Sequence, residues 1–196
     1  MDAAMSRATK GMVDSLLLPL PDHIAELLSD VGSPPRLAAH LRAVHDVAHQ
    51  LVTWVEQHRP TLIFDREAVL FGAATHDIGK SVHLAELSGP GSAHEEAGQA
   101  LLLSRGVCPE HARFAATHAS WTGPDAGLED LLVSLADKIW KNKRVPDLED
   151  LIVARLSEAT GRAKWEEFIE LDAVLSRIGD RADERLAFQA SFPIYS

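Results

Sequence analysis

Apolar residues recur along this chain at three- and four-residue spacing, and no stretch alternates strictly with polar residues. That period is helical rather than extended. Ile24, Leu27, Leu28 and Val31 mark a helix that begins after Pro21 and Asp22 and is stopped by Gly32. Pro34 and Pro35 open a longer helix, from about Arg36 to His58, with a stripe of Leu37, Leu41, Val44, Ala48, Leu51, Val52 and Val55. Asp65 is placed to cap a helix that runs through Ala68, Leu70, Phe71 and Ala74 to His76 and Asp77 and ends at Gly79. Ser92 and Glu95 form the pattern of a capping box for a helix reaching Leu103. Pro109 suits the first turn of a helix to about His118. Leu128, Leu131, Leu132, Leu135 and Ile139 stripe the next. Pro146 restarts a helix to about Ala159, and two more follow over Trp165–Ile178 and Asp180–Ala190. The expected fold is all-α, a compact bundle of about eight helices. Residues 1–20 read as an N-terminal accessory segment before a single domain over 21–196. Within it the site-bearing core spans about 36–145 and C-terminal helices span 147–190.

Composition narrows the possible functions. The chain has 196 residues, 46% apolar and 24% charged, which is ordinary for one globular domain with a sizeable core. Its formal net charge of −10 argues against a nucleic-acid-binding face, which needs clustered cations. Cys108 is the only cysteine, so neither an intrachain disulfide nor a cysteine-rich zinc site is expected, and a reducing cytoplasm is the natural compartment. The short run Leu16-Leu17-Leu18-Pro19-Leu20 is too brief and too broken for a signal-peptide core. No segment approaches the roughly 20 apolar residues that span a bilayer, so no membrane partner is expected.

Ten histidines direct attention to metal chemistry. His45 lies beside the apolar stripe of the long helix, between Leu41 and Val52. His76 and Asp77 end an apolar helix, where the helix dipole disfavours an acid. Asp137 interrupts the hydrophobic stretch from Leu131 to Trp140, a costly place for a carboxylate without a partner. Each residue has a structural alternative: a core histidine satisfied by a hydrogen bond, or an aspartate paired with Lys138. Together, three helices aim nitrogen and oxygen donors toward one interior, which is how bundles build metal sites. His49, one turn after His45, reads as a surface hydrogen-bonding residue. His23, His40, His58, His83 and His111 sit in polar contexts with no chemical role expected.

The order His45, His76-Asp77-Ile78-Gly79-Lys80 and Leu135-Ala136-Asp137-Lys138-Ile139 resembles the HD-domain superfamily. These are mostly metal-dependent phosphohydrolases. The resemblance implies that His45, His76, Asp77 and Asp137 bind a first metal. His94 and His118 stand in the two segments where dinuclear members carry one histidine each. Examples are the bacterial diadenosine tetraphosphate hydrolases and the HD-GYP enzymes, although the Gly-Tyr-Pro element of the latter is missing. The match implies a second metal at His94 and His118, with Asp77 bridging. Imidazoles and carboxylates suit divalent iron, manganese, cobalt, nickel or zinc.

The implied reaction is hydrolysis of a small phosphoester or nucleotide-type substrate by metal-activated water, with Asp77 and Lys80 as the catalytic residues. Lys80 and Arg42 are the expected substrate-binding cations. Lys138, Lys141, Lys143 and Arg144 form either a basic rim beside Asp137 or a solvated helix end. Two rival functions share the donor pattern. One is an HD-type di-iron oxygenase acting on a small polar substrate. The other is a non-catalytic HD protein that only binds a ligand.

Overall fold

The structure is a computed structural model and describes residues 3–10, 17–123 and 126–194. Every regular element among them is helical, as the apolar spacing predicts. In order these are α1 (Ala3–Thr9), α2 (Asp22–Asp30), α3 (Pro35–His58) and α4 (Arg66–Thr75). Then come α5 (Ala93–Ser104), α6 (Pro109–Ala112), α7 (Phe114–Thr117) and α8 (Leu128–Ile139). The chain continues with α9 (Pro146–Thr160), α10 (Lys164–Gly179) and α11 (Ala182–Ala190). Two single-turn 3₁₀ segments, Ile78–Ser81 and Leu84–Leu87, link α4 to α5. Leu16 of the apolar run lies outside the described residues, as do residues 124 and 125 of the loop before α8.

Local chemistry accounts for most boundaries. Pro35, Pro109 and Pro146 occupy first-turn positions, where a missing N–H costs nothing. The Asp65 carboxylate accepts the Ala68 N–H at 2.9 Å, the predicted cap of α4. Gly161 ends α9 in the left-handed conformation, with φ of 71°, which glycine adopts without steric cost. The expected Ser92 cap does not form. Glu86, on the second 3₁₀ turn, accepts the Ala93 and His94 N–H groups instead, each at 3.2 Å. The 109–118 helix divides at Arg113 into α6 and α7.

Helix α3 is the axis of the molecule. Every residue from Leu37 to Ala48 is buried, on all faces of the helix. Its N-terminal half joins an apolar core with Met5, Ala8, Ile24, Leu28, Ile78 and Leu102. Its C-terminal half joins a second core with Val69, Phe114, Leu132, Leu135, Ile152 and Leu175. Each fully buried Leu, Val or Ile contributes about 1.5–3 kcal/mol. In the N-terminal stretch Met5, Ala8 and Leu20 pack into the first core and Leu17 into the second, and Leu20 donates its N–H to the Thr9 carbonyl at 2.9 Å. No helix among the described residues is long and apolar enough to cross a membrane.

Candidate metal centre

Helix α4 delivers two donors at its C-terminal end, where Thr75 is followed by His76 at the cap and Asp77 at the entry to the 3₁₀ turn. The His76 Nδ1–H is donated to the Ala73 carbonyl at 3.0 Å, and the His118 Nδ1–H to the Ala115 carbonyl at 3.1 Å. A carbonyl can only accept, so each ring carries its proton on Nδ1 and presents the Nε2 lone pair inward. His94 is oriented in the same sense by Glu86, whose Oε2 lies 2.5 Å from its Nδ1.

Asp77 stands between two groups of donors. Its Oδ2 is 3.1 Å from His40 Nε2 and 3.6 Å from His76 Nε2. Its Oδ1 is 3.1 Å from His94 Nε2 and 3.6 Å from His118 Nε2. Asp137 Oδ1 closes the first group at 3.4 Å from His76 Nε2 and 3.8 Å from His40 Nε2. His40, His76 and Asp137 thus form one buried cluster able to hold an ion, and Asp77, His94 and His118 form another. Nε2 of His40, His76 and His94, and Oδ1 of Asp77, are buried with no hydrogen-bond partner among the described residues. Leaving such groups unpaired costs about 1–3 kcal/mol each. Divalent cations among them would remove that cost, and neutral imidazole nitrogens with carboxylate oxygens suit first-row ions. The residues therefore fit a metal centre.

The electrostatics agree with that fit. Burial keeps His118 neutral by lowering its pKa to about 4, and burial also lowers His40. Burial opposes charge on Asp77, but the neighbouring His76, His40 and His94 rings outweigh it and hold the carboxyl well below the usual range. Asp137 behaves likewise: burial is outweighed by His76 and Lys138. His94 is raised, because its contacts with Asp77 and Glu86 outweigh burial.

Two sequence expectations are corrected here. His45 is not a donor of this centre; His40 takes that position. At 3.6 residues per turn, His40 falls roughly 60° to one side of Leu37 and His45 roughly 80° to the other, so both flank the same stripe. A reading that gives α3 one buried face cannot choose between them, because α3 is buried on every face. Arg42 is not a substrate-binding cation. Its guanidinium is enclosed and donates to the carbonyls of Leu18 at 2.8 Å, Leu17 at 2.5 Å and Arg7 at 3.3 Å. It fastens the N-terminal stretch to α3.

The remaining predicted residues converge. Lys80 Nζ lies 2.6 Å from Asp77 Oδ2, and Lys138 Nζ lies 2.5 Å from Asp137 Oδ2. Both lysines line a cavity of about 350 Å³ over the cluster, together with Lys141, Leu37, Leu87 and Trp140. Three of the six lysines in an acidic chain therefore face one cavity. Glu86 was not singled out in the sequence, and no local signal marks it, because its role depends on the fold bringing the second 3₁₀ turn against His94.

Gly79 explains how α5 reaches Asp77. A Cβ on Gly79 would lie 2.0 Å from the His94 carbonyl oxygen and 2.6 Å from the Gly98 nitrogen. Gly98 faces it, so two backbones meet with no side chain between them. This contact sets His94 beside Asp77.

Compared with known protein families, curated proteins and solved structures, the chain matches none.

Proposed function

We propose that this chain is an HD-type metal-dependent phosphohydrolase acting on a small phosphoester or nucleotide-type substrate. The observation that carries the reading is Asp77. Its two carboxylate oxygens each face a separate pair of histidine Nε2 atoms, His40 and His76 on one side and His94 and His118 on the other. His40, His76, Asp77 and Asp137 would hold one divalent ion, and Asp77, His94 and His118 a second. Such ions supply Lewis acidity toward phosphoryl oxygens and lower the pKa of water.

The chain's own residues complete the chemistry. Asp77 and Asp137 provide the fixed negative charge that retains cations, and the backbone carbonyls of Ala73 and Ala115 lock two imidazoles in the donating tautomer. Lys80 and Lys138 bring positive charge to the edge of the cluster, where a phosphoryl group carries negative charge. Leu37, Leu87 and Trp140 supply the apolar part of the cavity wall.

Elemental analysis of freshly purified protein, paired with phosphate release from a panel of phosphomonoesters and nucleotides, tests the reading. Bound first-row metal and hydrolysis abolished in Asp77→Asn are the expected result. Metal-replete protein that releases no phosphate from the panel, or that instead consumes oxygen with bound iron, overturns it.

A further inference from the structure

The four rings of the metal centre are not backed alike. The Nδ1 atoms of His76 and His118 face neutral carbonyls, and His40 Nδ1 has no hydrogen-bond partner among the described residues. Among the described residues His94 alone is backed by a carboxylate, with Glu86 Oε2 2.5 Å from its Nδ1. A carboxylate that accepts Nδ1–H fixes the tautomer and makes Nε2 a stronger donor to a metal. That Nε2 turns its lone pair on Asp77 Oδ1 at 3.1 Å, a contact that a cation between them makes favourable.

We infer that Glu86, kept in place by Gly91, is the positioning residue that retains the second divalent ion, and that the centre becomes mononuclear without its carboxylate. The inference rests on the two-ion reading above. Glu86 does not line the cavity over the centre, whereas Leu87 and Gly91 do, so it acts through His94 and not on a substrate. Its two oxygens also accept the Ala93 and His94 N–H groups, each at 3.2 Å. One side chain thus fixes both the ring and the backbone that carries it.

Gly91 makes the room for this contact. A Cβ there would lie 2.4 Å from Glu86 Oε1 and 2.5 Å from its Cδ. The obstructed atoms end a flexible side chain, so the carboxylate would swing away and release His94. The first ion stands apart. His40, His76, Asp77 and Asp137 come from α3, the end of α4 and α8, and among the described residues the Glu86 carboxylate bonds only to the start of α5.

Zinc-loaded protein equilibrated against a graded series of chelator concentrations, with zinc per chain read by elemental analysis, tests the inference. Wild type should hold two ions and lose them at separate midpoints. Glu86→Gln removes the charge, yet its amide oxygen can take the Oε2 place, so helical content should match wild type. Its second ion should be held about 10-fold more weakly, and that of Glu86→Ala up to about 100-fold, the range typical when such a backing residue is lost. Gly91→Ala should behave like Glu86→Ala, and the first ion's midpoint should stay put in all three variants. If Glu86 only capped α5, Glu86→Gln would hold zinc as wild type does. An unmoved second midpoint in Glu86→Gln or Gly91→Ala, or loss of both ions together, overturns the inference and leaves the metal centre standing. A wild type that holds fewer than two ions overturns the two-ion reading and the inference with it.

Discussion

Replacing Gly79 with alanine tests how the two donor clusters are held at their observed separation. The added methyl would stand 2.0 Å from the His94 carbonyl oxygen, and side chains in real proteins essentially never approach within 3.0 Å. The obstructing atoms are backbone, so no side-chain rotation relieves the clash. The start of α5 must therefore move away from the 3₁₀ turn by about 1 Å, which overpacks the junction at about 1–3 kcal/mol. For a domain of this size that lowers the melting temperature by roughly 2–12 °C. The functional effect should be larger than the thermal one. His94 Nε2 lies 3.1 Å from Asp77 Oδ1, and a displacement near 1 Å at a reacting centre costs on the order of 100-fold in rate. Metal content should fall toward one ion per chain, because His40, His76 and Asp137 do not depend on α5. Differential scanning calorimetry, turnover and elemental analysis on this variant give the three readings. A Gly79→Ala protein with wild-type turnover and full metal content would refute the claim that this contact positions His94.

Lys80→Met keeps the apolar stem and removes the charge; turnover should fall on the order of 100-fold while melting temperature and metal content hold, as steady-state kinetics and elemental analysis would show. Arg42→Met should destabilise the fold by about 2–5 kcal/mol in denaturant titration, because the Leu17 and Leu18 carbonyls lose a charged donor, and it should leave the KM of folded protein unchanged. Burial lowers His45 from its ordinary 6.5 to about 4, so the folded state favours the neutral ring. Its share of stability is complete above pH 6.5 and is lost as pH falls toward 4, amounting to roughly 3 kcal/mol. His45→Leu should therefore show a shallower decline of stability than wild type across that window, and parallel declines would count against it.

How much of this was legible in the sequence depended on whether a residue's role was local. Prolines 35, 109 and 146 and the Asp65 cap act within a few residues of themselves, and their helices begin where these residues predict, whereas α4 stops at Thr75 rather than Gly79 and the Pro109 helix breaks after Ala112. Asp137 was visible because a carboxylate among apolar residues is costly wherever it falls, and the His76-Asp77 doublet because an acid at a helix C-terminus is disfavoured and its motif order resembles a known metal-binding pattern. His40 was missed because a stripe assigns one buried face to α3, while the fold wraps other helices around it. Ser92 looked like a cap by its spacing to Glu95, yet Glu86 reaches the same N–H groups from another turn.

The complete burial of α3 has a kinetic consequence for the centre. Segments open and close at rates set by how much packing must be undone, and the most enclosed ones move only with global unfolding. His40 belongs to such a segment, since every residue from Leu37 to Ala48 is covered. His94 sits at the first turn of α5, directly after the exposed Ser88–Ser92 linker, and is steadied by Glu86 from a lone 3₁₀ turn. Both sides open onto the same cavity, so the difference lies in the donors: His94 can swing aside in a local breath of the chain, while His40 is held in place by the core around α3. Exposed to excess chelator, the loaded protein should release metal in two phases, the fast one from the His94 side and the slow one from the His40 side.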